Sequence, residues 1–178
     1  MNPSRPFPPY RETLGGKLLA AREAVMAPVR NILREFGVTE QQWRVLRALA
    51  DRGALDPSSV AAFAILRAPS LTRILRELED RELIVRAPDP TDGRRAIVNI
   101  SPRGSEIVYL TLTQTRLWAD RYAQAFGAER FQAFSDELSL LTQTILQVTA
   151  DERMPDPGGS KRAIGKRQKN SASVDSRR

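Results

Sequence analysis

From Leu14 onward, apolar residues recur at steps of three and four, through Leu18, Ala21, Val25, Pro28 or Val29, Ile32 and Phe36. This is the period of a long amphipathic helix. Gly37 ends the pattern, and Pro28 inside it predicts a bend, because proline removes one backbone hydrogen bond. Thr39-Glu40-Gln41-Gln42 then reads as a capping box, with Val38 and Trp43 spaced for a hydrophobic staple. Trp43, Leu46, Leu49 and Ala50 form the stripe of a second helix that Gly53 closes. Asp56 and Pro57 start a short third helix as N-cap and first helical residue, with Leu55 and Val60 placed for another staple.

The fourth segment runs from Ala68 to Leu78. Leu71, Ile74, Leu75 and Leu78 make its core stripe, which leaves Pro69, Ser70, Thr72, Arg73 and Arg76 at the exposed start and flank. Hydroxyls and a helix N-terminus can meet phosphates, while arginine pairs bidentately with guanine O6 and N7. By itself the segment fits a solvated surface helix equally well. Its successor changes the balance. Ile84-Val85-Arg86 and Ala96 to Ile100 read as strands of a hairpin whose Asp92-Gly93 step is a turn signal. Arg94 and Arg95 sit at the tip, able to enter a minor groove or clasp phosphates, and Asp92 is near enough to orient one of them.

Ser101 and Pro102 open a further long helix with an apolar face of Ile107, Leu110, Leu117, Trp118, Tyr122, Ala125 and Phe126, ended by Gly127. In the last helix Phe131, Phe134, Leu138, Leu141, Ile145 and Val148 form a coiled-coil-like seam. Packing on the first helix would satisfy that seam. A compact winged core offers terminal helices little surface, however, so the pattern predicts a homodimer. The fold class expected is mainly α with a small β-wing, a winged helix-turn-helix with long N- and C-terminal dimerisation helices.

Charge and composition sharpen this picture. The net charge is +7, and residues 152–178 hold eight Lys or Arg against three acids. That stretch is nearly devoid of apolar residues and is expected to be a disordered basic tail touching DNA without sequence preference. The organisation predicted is a flexible arm over 1–11, the winged body with its dimerisation helices over 12–151, and the tail over 152–178. Cysteine and histidine are both absent. Disulfides, thiol switches, Cys-type zinc sites and Ser-His-Asp catalysis are therefore excluded, and no glycine-rich phosphate loop occurs. No enzyme, cofactor or metal is expected. With no long apolar run and no signal-like N-terminus, the chain is expected in the cytoplasm.

Over about residues 12–150 the chain resembles the MarR family of regulators. The likeness is carried by Thr39 to Leu49, Ser70 to Leu75, Leu78-Glu79-Asp80-Arg81, Asp92-Gly93-Arg94-Arg95 and Ser101-Pro102-Arg103-Gly104. Within the family it is most similar to regulators of homoprotocatechuate and related aromatic catabolism. The resemblance implies six helices and a two-stranded wing, with the first, fifth and sixth helices in a dimer interface. It also implies that Ser70, Thr72 and Arg73 read the major groove of a pseudo-palindromic duplex while Arg94 reaches the minor groove. Ala68 and Pro69 depart from the polar residues many members carry, which shifts base readout toward Arg73 and Arg76.

The resemblance further implies a repressor released by a small aromatic acid bound between dimerisation helices and winged body. Arg22, flanked by Leu18, Ala21, Val25 and Met26, is a candidate for the acid's carboxylate, with Met26 and Trp43 as apolar walls and Arg44 as a second cation. An arginine beside Glu23 also fits a solvated or dimer-bridging role, and Trp43 is already explained by its staple. The rival function is a winged-helix module for protein contacts or non-specific nucleic-acid binding, with no effector.

Overall fold

The computed structural model describes residues 7–89, 92 and 96–151. Among them the helices are α1 (Leu14–Glu35), α2 (Glu40–Arg52), α3 (Pro57–Phe63), α4 (Ala68–Asp80), α5 (Pro102–Phe126) and α6 (Ala128–Asp151). A short 3-10 turn at Tyr10–Glu12 precedes α1, and strands β1 (Ile84–Pro88) and β2 (Ala96–Ile100) lie between α4 and α5. The strands pair antiparallel, Ile84 opposite Ile100 and Pro88 opposite Ala96. This is the expected mainly helical winged fold. The hairpin loop carrying Arg94 and Arg95, and the tail over 152–178, lie outside the described residues.

The starts of α1, α2, α3 and α5 follow polar caps. The Thr39 hydroxyl accepts from the Gln42 N–H at 3.2 Å and the Gln42 side chain accepts from the Thr39 N–H at 3.0 Å, completing the capping box. The side chains of Thr13, Asp56 and Ser101 cap α1, α3 and α5 by accepting from first-turn N–H groups, without the reciprocal bond. Pro28 sits inside α1, which stays one helix.

Helix ends are less legible. α1, α3 and α4 all stop in a Schellman arrangement, with paired bonds back from the two residues after the cap. These are Gly37 to Arg34 and Val38 to Leu33, Ile65 to Ala62 and Leu66 to Ala61, and Glu82 to Glu79 and Leu83 to Leu78. The residue in the left-handed conformation is glycine only in the first, with φ 61° at Gly37, 53° at Ile65 and 57° at Glu82. In each case the next residue, Val38, Leu66 or Leu83, turns into or against the core.

The chain divides after Phe131 into two compact units. In the first, α2 is the hub, touching α1, α3, α4, α5 and β2. Its Val45, Leu46 and Leu49 are fully enclosed with Leu71, Ile74, Leu75 and Leu78 of α4, and Val60, Ile84 and Val98 complete the core. Leu55 adds a one-residue bridge to β2, exchanging bonds with Val98 at 3.0 and 2.8 Å. Arg81, at the end of α4, donates to the Gly37 and Phe36 carbonyls at 2.9 and 3.3 Å, fastening α4 to the terminus of α1.

Of the apolar face expected on α5, Ile107 packs against the core and Trp118 and Tyr122 are half-buried. Gly104, Val108 and Thr111 point inward, while Leu110, Leu117 and Phe126 are exposed. A close approach accompanies this orientation, since a Cβ on Gly104 would overlap the Leu83 carbonyl oxygen. In the second unit the α6 residues Phe134, Leu138, Ile145 and Val148 are 37–53% exposed. Among the described residues no helix is long and apolar enough to cross a membrane.

Candidate nucleic-acid interface

α4 owes its orientation to its apolar face. Leu71, Ile74, Leu75 and Leu78 are buried, so the opposite face is presented to solvent. Pro69, Thr72, Arg76 and Glu79 follow one another at helical steps of three, four and three, and Arg73 stands one turn beyond Pro69. Together with Arg86 of β1 these five residues line an open groove of about 550 Å³. Of the residues expected to touch DNA, the fold thus assembles Pro69, Thr72, Arg73 and Arg76 in one place. Ser70 is half-buried beside them. Asp92 is exposed on the hairpin, its N–H 3.4 Å from Asp89 Oδ1.

Arg86 and Glu79 went unmarked in the sequence, although a signal was present. Alternation along β1 places Arg86 on the same face as buried Ile84, toward α4. Its Nε pairs with Glu79 Oε2 at 3.0 Å, tying wing to helix. Arg73 pairs with Glu77 at 2.6 Å while its side chain remains 68% exposed. Arg76 makes no ion pair with any described residue.

The N-terminus of α4 differs from the other starts. Among α1 to α5 it alone has no side-chain cap, and its N-cap residue is Arg67. Pro69 in the first turn has no N–H and the Ser70 N–H donates to the Arg67 carbonyl at 3.1 Å, so what this exposed end offers is chiefly the positive end of the helix dipole. Such an end suits an anion.

Three of the four residues expected to hold an effector already have partners within the protomer. Arg22 is exposed and engages two carboxylates, Glu23 at 2.7 Å and Glu40. Met26 is half-buried on α1. Trp43 packs against the core and its Nε1 donates to Thr111 Oγ1 at 2.9 Å, while the buried Thr111 hydroxyl donates to the Ile107 carbonyl at 2.8 Å. Arg44 points toward the turn before α4, donating from Nη1 to the Ile65 carbonyl at 3.1 Å, with its buried Nε unpaired. A separate open groove of about 670 Å³ lies between the second half of α1 and the start of α2, lined by Arg30, Arg34, Val38 and Glu40 among others.

Comparison with known proteins adds independent findings. Residues 36–95 match the MarR family. The HTH-type transcriptional regulator FarR of Neisseria gonorrhoeae is 34% identical over 126 residues, covering 71% of this chain and 86% of that protein. The homoprotocatechuate degradative operon repressor of Escherichia coli is 34% identical over 115 residues, covering 65% and 78%. Among solved structures, NadR in complex with 4-hydroxyphenylacetate superposes with a TM-score of 0.67 at 32% identity, covering 77% of this chain and 97% of that one.

Proposed function

Since the chain belongs to the MarR family of transcriptional regulators, we propose that it represses an aromatic-compound catabolic operon as a homodimer and leaves its operator when a small aromatic acid binds. The observation that carries the DNA-binding half is the groove of Pro69, Thr72, Arg73, Arg76 and Arg86 beside the uncapped start of α4. Arg73 and Arg76 read base edges, Ser70, Thr72 and the helix N-terminus take phosphates, and Asp92, Arg94 and Arg95 serve the wing's contact. The exposed apolar residues of α5 and α6 support the dimer, whose two recognition helices fit half-sites of a pseudo-palindrome.

The effector class rests on two relatives whose names carry arylacetic acids, homoprotocatechuate and 4-hydroxyphenylacetate. Trp43 and Met26 supply apolar walls and Arg22 the cation. An incoming carboxylate exchanges with Glu23 and Glu40 on that guanidinium, and Arg44 is the second candidate. To relieve repression the acid must bind the DNA-incompetent dimer more tightly than the competent one.

The test is selection of duplexes from a random pool, then gel shifts of the selected duplex with arylacetic and benzoic acids. A palindromic consensus released by one of these acids is expected. Binding without sequence preference overturns the regulator reading, and a palindrome indifferent to every aromatic acid overturns the effector class alone.

A further inference from the structure

Arg73 is held by more than its neighbour. Its Nη1 donates to Glu77 Oε1 at 2.6 Å, and the other oxygen of that carboxylate accepts from Gln42 Nε2 at 2.9 Å. Gln42 is only 6% exposed, and its Oε1 accepts from the Thr39 backbone N–H in the capping box of α2. Both ends of the amide are therefore committed, and only the NH2 end can face a carboxylate. An exposed Arg–Glu pair one turn apart ordinarily wanders. Here the carboxylate is anchored by a buried amide from another helix, so the acceptor that Arg73 meets is held in place.

We infer that Glu77, gripped by Gln42, is a specificity-determining residue that positions Arg73 and suppresses binding to unrelated DNA. The inference rests on the reading of α4 as the base-reading helix. An unpaired arginine is drawn to any phosphate, which strengthens binding to every sequence alike. The Arg73–Glu77 pair is neutral at a distance, so that pull is lost. Arginine has five N–H donors and Glu77 takes one, which leaves the rest for the uncharged acceptors of a base edge. Holding the side chain in place also removes ordering cost at the moment of recognition.

Glu77→Gln keeps an oxygen for the Gln42 amide and removes the charge. Against a duplex selected from a random pool and a scrambled duplex of equal composition, the variant is expected to lower the affinity ratio about three- to ten-fold. Most of the change comes from tighter binding to the scrambled duplex, with a steeper salt dependence. Glu77→Ala, which removes both contacts, should lower the ratio at least as far, and thermal melts report whether each variant folds. The decisive comparison is the Arg73→Ala background, where Glu77→Gln should no longer change the ratio. Persistence of the effect there means a general charge effect and overturns the inference. If Arg73→Ala lowers the ratio but neither Glu77 variant does, the inference alone fails. If Arg73→Ala leaves the ratio unchanged, the reading of α4 fails and takes the inference with it.

Discussion

Replacing Ile65 by glycine is expected to stabilise the fold although it removes a large apolar side chain. Ile65 is the left-handed residue of the turn that closes α3, at φ 53°, and it is 80% exposed, so little burial is lost. A side chain in that conformation costs about 1–2 kcal/mol, because Cβ crowds the following carbonyl. Glycine avoids the cost but widens the unfolded ensemble, which returns about 0.4–1 kcal/mol. The net gain lies between about 0 and 1.6 kcal/mol, or up to roughly 6 °C in melting temperature for a chain of this size. The Arg44 bond to the Ile65 carbonyl and the paired backbone bonds of the turn involve no Ile65 side-chain atom and survive. Glu82→Gly should behave alike, since φ is 57° and the side chain is 87% exposed. Gly37→Ala, at φ 61°, should lose stability by a similar amount. Far-UV circular dichroism melts at one fixed protein concentration measure all three, because association contributes to apparent stability. Loss of stability in both Ile65→Gly and Glu82→Gly would refute the strain argument. Loss in Ile65→Gly alone would show that the isoleucine side chain is held by a contact outside this fold.

Thr111→Val should cost about 1–3 kcal/mol, because it leaves the Trp43 indole N–H without its acceptor, and the cost should shrink in a Trp43→Phe background in a denaturant double-mutant cycle. Gly104→Ala should destabilise by about 1–3 kcal/mol in the same assay, since the new Cβ overlaps the Leu83 carbonyl and one of two backbones must shift. The Asp56 carboxyl is held below the usual aspartate range by the Ser59 hydroxyl and by the Ser59 and Ser58 N–H groups. A depressed folded-state pKa stabilises above the ordinary value and loses that contribution as pH falls through the lowered one. Asp56→Ala should therefore be less stable than wild type at pH 7, with the gap closing at acid pH in urea titrations. Deleting residues 152–178 should weaken binding to scrambled duplex and flatten its salt dependence while leaving sequence preference intact, as read in gel shifts over a salt series.

The sequence alone was enough for the starts of α2, α3 and α5, the core stripe of α4 and the two-stranded wing. These depend on short-range rules: a hydroxyl or carboxylate that reaches an N–H two or three residues on, and an apolar period matched to one face. It placed Pro69, Thr72, Arg73 and Arg76 on the exposed side of α4 for the same reason. Helix ends were legible where glycine marks them, as at Gly37. They were hidden at Ile65 and Glu82, where burial of Leu66 and Leu83 is set against the unfavourable backbone conformation.

Only the tertiary structure decided which long-range partner each polar side chain meets. Trp43, packed against the core that holds Val38, also donates to the Thr111 hydroxyl 68 residues away, and Arg22 meets Glu40 18 residues away. Arg86 entered the groove through its pairing with Glu79, and Gln42 reached past its own capping box to Glu77. Helical spacing says which face a side chain is on. What that face meets is set by how α2, α4, α5 and the wing pack, and the close approach of α5 at Gly104 accompanies the meeting of Thr111 with Trp43.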